Sequence, residues 1–138
     1  MGVMPTVKHF RDLDVYKGAM SLVMEIFALS KGFPPDERFT LTDQIRRSSR
    51  SICANIAEAW RKRRYEAAFV SKLNDSETEG SETQVHLEIA FNHGYIDRQT
   101  FEGLDDKCDK IISQIVKMID QAERWIFKPV PVKRRSAR

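Results

Sequence analysis

LTDQIRRSSRSICANIAEAW, residues 41–60, steps through Leu41, Ile45, Ser48, Ile52, Asn55 and Ala59 at intervals of four and three. That period is the signature of an amphipathic helix with one face turned inward. Its composition is unusual for such a face, because small and polar residues interrupt the aliphatic ones. Three arginines, Arg46, Arg47 and Arg50, sit among them, together with Asn55 and Glu58. Thr40 is placed to cap this helix, with Asp43 in its first turn favoured by the positive end of the helix dipole.

The same period recurs on both sides. Residues 12–31 carry Val15, Ala19, Leu22, Ile26 and Leu29, with a second stripe of Tyr16, Met20, Val23 and Phe27 beside it. Two stripes predict a helix that touches two neighbours. Gly32, Pro34 and Pro35 then stop it, since proline cannot donate to the helical ladder. Residues 65–93 repeat the spacing with Phe69, Leu73, Ser76, Gly80, Thr83, Leu87 and Ala90. Gly80 inside a helix costs about 1 kcal/mol against alanine, and close approach of a neighbouring helix would offset it. Gly94 is a C-terminal stop and Asp97 an N-cap for the last helix, whose seam runs Phe101, Leu104, Cys108, Ile111, Ile115, Met118, Ala122, Trp125.

Four long amphipathic helices with short joints pack most economically as an all-α, up-down-up-down antiparallel four-helix bundle; two helical hairpins that pair with another chain share every local feature. We expect an N-terminal tail over residues 1–11, the bundle over 12–127, and a disordered basic tail over 128–138, where Pro129 and Pro131 precede Lys133, Arg134, Arg135 and Arg138. A chain of 138 residues makes one domain, and at this size roughly 68% of the unfolded surface is buried on folding. No window of apolar residues is long enough to span a membrane, and the N-terminus has no secretory pattern, so the expected location is cytoplasmic. Cys53 and Cys108 have no CxxC spacing and are expected as buried, reduced thiols.

The residues also carry a family resemblance. FRDLDVYKGA (residues 10–19), KGFPPDE (31–37), LTDQIRRSSRSICANIAEA (41–59), SKL (71–73), SET (81–83) and HGYI (93–96) resemble the four-helix bundle proteins of the 23S rRNA intervening-sequence family. QIRR at residues 44–47 and NIAE at 55–58 are the specific elements. Cys53 stands where many relatives have proline, and Ala59 where they usually have glycine. The resemblance implies an up-down bundle that assembles as a homo-oligomer, often a pentamer. It also implies a link to nucleic acid, shared with the similar bundles that accompany diversity-generating retroelements, and no established catalysis.

Seven basic residues, Arg46, Arg47, Arg50, Arg61, Lys62, Arg63 and Arg64, face a single acid, Glu58, between positions 46 and 64. Such a cluster is an electrostatic footprint for RNA or a ribonucleoprotein, and if all seven met phosphates log K would fall with log salt at a slope of about −6. The competing reading is a solvated helix face, or a scaffold whose arginines serve the oligomer. Asp75, Glu77, Glu79, Glu82 and Glu88 form an acidic flank on the third helix, so complementary contact between subunits competes for the arginines. We therefore expect Arg46, Arg47 and Arg50 to serve packing or assembly, with Gln44, Asn55, Glu58, Glu79 and Glu82, and Arg61 to Arg64 to stay freer for a polyanion. Arg47 lies about 16 Å along the axis from Glu58, so the partner of Glu58 must come from another helix or chain.

Catalysis is not expected: Glu58 lacks a nucleophile or a second acid at helical spacing, and no phosphate loop or nucleophile elbow occurs. Metal binding is not expected either, because no Glu-x-x-His motif is present and Glu82 and His86 are four apart. A lone His86 is expected to be exposed or hydrogen-bonded. No cofactor and no small-molecule substrate are implied.

Overall fold

The computed structural model describes residues 7–127 and shows an all-α four-helix bundle. The helices are α1 (Asp14–Ser30), α2 (Leu41–Arg61), α3 (Glu66–Asn92) and α4 (Arg98–Asp120). Each packs on its neighbours in sequence, most extensively α2 on α3, and α1 closes the bundle against α4. The expected basic tail at 128–138 lies outside the described residues.

Helix ends refine the sequence reading. α1 begins at Asp14 rather than Asp12, because a separate 3-10 turn, Phe10–Asp12, comes first. His9 caps that turn by accepting from the Arg11 N–H at 3.2 Å, while the Asp12 carboxylate accepts from the His9 N–H at 3.1 Å. The expected Thr40 cap of α2 is replaced by Glu37: its Oε1 accepts from the Leu41 N–H at 3.3 Å and from the Thr40 hydroxyl. Asp97 does cap α4, accepting from the Thr100 N–H at 2.8 Å. Gly94 has φ +79°, and Tyr95 N–H donates to Ala90 carbonyl at 2.9 Å, so the left-handed residue ends α3 in a Schellman-type turn. α4 stops at Asp120 instead of continuing to Trp125; a further 3-10 turn, Ala122–Arg124, keeps Ala122 in the core and brings Trp125 edge-on to Trp60 at 6.4 Å.

The core consists of the predicted stripes. Ala19, Leu22, Ile26, Ile45, Ile52, Phe69, Leu73, Leu87, Cys108 and Ile115 are fully buried. Ser48 of α2 and Ser76 and Thr83 of α3 lie where those two helices meet. Ser76 Oγ donates to the Ile52 carbonyl at 2.8 Å and Thr83 Oγ1 to Ser48 Oγ at 2.9 Å. A buried hydroxyl without a partner would cost about 1–3 kcal/mol, so these pairings make the close approach tolerable. Gly80 faces α4, where an added Cβ would lie 2.9 Å from Ile112 Cγ1.

Candidate nucleic-acid interface on α2

Ile45, Ile52 and Ile56 point into the core, which turns Asp43, Arg50, Ala54 and Arg61 toward the opposite, outer side of a 3.6-residue helix. Two shallow depressions lie along that side. One, about 600 Å³, is lined by Arg38, Phe39, Thr42, Asp43, Arg46, Arg47, Arg50, Ser51 and Ala54. The other, about 320 Å³, is lined by Phe10, Ala57, Glu58, Arg61 and Lys62. Ala54 and Ala57 leave the ridge low between the basic side chains.

Each arginine has its own support. Arg46 Nε donates to Ser30 Oγ at 2.7 Å, and its guanidinium lies over the Phe27 ring at 4.6 Å. Arg50 and Lys31 approach the same ring at 5.9 and 4.7 Å, so three cations surround one half-buried aromatic. The negative face of the ring holds these charges without neutralising them. Arg47 differs: it pairs with Glu79 at 3.5 Å and with Glu82, and its Nε donates to Gln44 at 3.3 Å. The hydrogen bond to Glu82 raises its pKa, while burial raises that of Glu79. The charge complementarity expected between subunits thus closes at Arg47 within one chain.

The run Arg61 to Arg64 does not stay uniformly free. Arg63 is buried at 9% exposure, with its guanidinium 3.4 Å over Trp60 and 4.4 Å from the Phe127 ring. Its Nε donates to the Trp60 carbonyl at 2.9 Å, and its own carbonyl accepts from the Phe127 N–H. It therefore anchors the segment at Phe127 and is removed from the set facing solvent. Arg61, Lys62 and Arg64 are exposed, with Arg61 5.8 Å over the Phe10 ring.

Glu58 finds its partner on α3, where Lys72 Nζ lies 2.9 Å from Oε1. It is half-exposed, so it needs no buried counter-ion, and Asn55 is only half-buried on the flank of the stripe. His86 departs from expectation: both ring nitrogens are buried and have no partner among the described residues. Burial lowers its pKa, opposed by Glu82 and reinforced by Arg47. Among the described residues no group of histidine, cysteine or acid side chains could hold a metal ion. Sequence reading missed Arg38, Phe39 and Lys72. Arg38 and Phe39 sit in a joint with no periodicity, and Lys72 reaches Glu58 only through the register of α2 against α3.

The arrangement defines a class: an antiparallel four-helix bundle with a basic ridge on its second helix. The family model described as 23S rRNA-intervening sequence protein matches residues 11–117, and the chain belongs to that family. It is similar to a crystal structure from Bacteroides thetaiotaomicron VPI-5482, described as a protein with unknown function from the S23 ribosomal protein family. The two share 30% identity and a TM-score of 0.70, over 77% of this chain and 95% of that one. Comparison with curated proteins gives no match. No helix among the described residues is long and apolar enough to cross a membrane.

Proposed function

We propose that this chain is a non-enzymatic, self-associating helical module that binds RNA or a ribonucleoprotein through the outer face of α2. The observation that carries the reading is the set Arg38, Arg46, Arg50 and Arg61, held over Phe39, Phe27 and Phe10, with the exposed Lys62 beside them and Asp43 and the Lys72-paired Glu58 as the acids lining the two depressions. Arginines fixed on aromatic rings lose little side-chain entropy when they meet phosphates. The family description, which names a 23S rRNA intervening sequence, supports the same partner class. The thiols speak against cysteine-based catalysis alone: burial pushes them up to about 11 at Cys53 and, with help from Asp105 and Asp109, about 12 at Cys108. Neither supplies a thiolate nucleophile near neutral pH.

Binding of a structured RNA across a salt series tests the proposal. Arg38, Arg46, Arg50, Arg61, Lys62 and Arg64 engaged together give a log–log slope of about −4 on unpaired segments, at about 0.7 per phosphate, and about −5 on paired ones, at about 0.9. A slope near zero, or affinity unchanged in Arg61→Gln/Lys62→Gln/Arg64→Gln, removes the RNA reading. The second reading is a protein-binding scaffold whose arginines serve homo-oligomer assembly. It draws on the use of Arg46 and Arg47 to tie α2 to α1 and α3. Light scattering tests assembly in either case: the expected mass is a multiple of the chain mass, five chains by family resemblance, and a monomer at micromolar concentration removes self-association.

A further inference from the structure

Phe39 is the most exposed large apolar side chain among the described residues, at 78%. A single exposed apolar residue is ordinary, but the surroundings of this one are not. The Arg38 guanidinium sits over its ring at 5.1 Å, and the ring lines the same depression as Arg46, Arg47 and Arg50. The backbone beneath it is held on both sides. Arg38 N–H donates to the Pro35 carbonyl and Thr40 N–H to the Glu37 carbonyl, each at 3.1 Å. The Glu37 carboxylate accepts from the Thr40 hydroxyl, from the Tyr95 hydroxyl at 2.8 Å and from the Leu41 N–H, and these bonds, that of Thr40 foremost, lower its pKa and keep it ionised. The aromatic is thus displayed to water from a braced turn beside four guanidinium groups and one carboxylate, Asp43.

An aromatic face bordered by arginines matches a nucleobase that has left its helix: the base stacks on the ring and the backbone phosphates run along the cations. A base inside a duplex offers no free face, so such a platform discriminates by pairing state rather than by sequence. We propose that Phe39 is a stacking platform for an unpaired base, so that the α2 ridge prefers single-stranded or looped RNA over a continuous duplex. Arg46 and Arg50 are the track for the phosphates. This rests on the RNA reading above and adds the form of RNA recognised.

The test uses the full chain with a labelled single-stranded RNA of about a dozen nucleotides and the duplex of the same sequence, compared by fluorescence anisotropy. Stacking of one base corresponds to a loss of about 5- to 150-fold in single-strand affinity for Phe39→Ala. Duplex affinity and salt slope stay unchanged, and Phe39→Trp retains single-strand binding. Arg50→Gln weakens both RNAs and lowers the single-strand slope by about 0.7. Equal single-strand affinity in wild type and Phe39→Ala overturns the platform while leaving the RNA reading intact. Absence of any RNA binding by wild type overturns the RNA reading itself. If Phe39→Ala instead lowers the mass in solution, a second copy of the chain occupies the ring and the platform is overturned.

Discussion

Replacing Gly80 by alanine tests how tightly α3 is pressed onto α4. Two effects oppose each other. Alanine is favoured over glycine inside a helix by about 1 kcal/mol. Its Cβ, however, would lie 2.9 Å from Ile112 Cγ1 and 3.2 Å from Cδ1, and overpacking of this kind costs about 1–3 kcal/mol. Cγ1 sits near the root of the Ile112 side chain, so it moves only if α4 shifts or χ1 leaves the one rotamer a helix favours for isoleucine. The expected net effect of Gly80→Ala is a destabilisation of about 1 kcal/mol. In an Ile112→Ala background both contacting atoms are gone, only the helix preference remains, and Gly80→Ala stabilises by about 1 kcal/mol. The sign reversal amounts to a coupling of about 2 kcal/mol, inside the range for residues in contact. Urea unfolding at one fixed chain concentration, with m unchanged, measures it; the single substitution lowers the midpoint by about 0.3–1 M. Stabilisation by Gly80→Ala in both backgrounds would refute the close approach.

Arg63→Ala is expected to lower stability by about 1–3 kcal/mol and shift tryptophan emission, because it uncovers Trp60 and takes the guanidinium off the Phe127 ring. Its RNA affinity, measured where the variant is folded, should match wild type. Cys53 and Cys108 are both buried, and pKa values near 11 and 12 keep them protonated, so a thiol reagent at pH 8 should label native protein only at its unfolding rate and both sites at once in denaturant. His86 has a folded pKa below its ordinary 6.5, so the unfolded chain binds the proton more tightly. Its contribution is complete above pH 6.5 and is lost as pH falls through 6.5 toward the folded value. Thermal unfolding between pH 7 and 5 should therefore fall more steeply in wild type than in His86→Phe, and parallel curves would remove His86 as the cause.

The helical joints were readable because their chemistry is local. Pro34, Pro35, Gly94 and Asp97 act within a few residues of themselves, and the structure uses Gly94 and Asp97 as expected. Thr40 misled because Glu37, three residues earlier, offers a charged acceptor that outcompetes a hydroxyl for the Leu41 N–H. Similarly, the repeat that ran on to Trp125 records burial, which a 3-10 turn supplies as well as an α-helix.

For the basic cluster, charge count alone was misleading. Sequence divided the seven into Arg46, Arg47 and Arg50 for packing and Arg61 to Arg64 for a polyanion, yet Arg63 of the second group is stacked and buried, and of the first group only Arg47 is neutralised, by Glu79 and Glu82. Meanwhile Arg38 and Phe39 join the surface from a joint without periodicity. By itself the sequence determined the four helices, their inward stripes and the family, because periodicity and turn chemistry depend on near neighbours. Only the tertiary structure decided which arginines remain available, since each depends on a ring or carboxylate that another helix or turn brings to it.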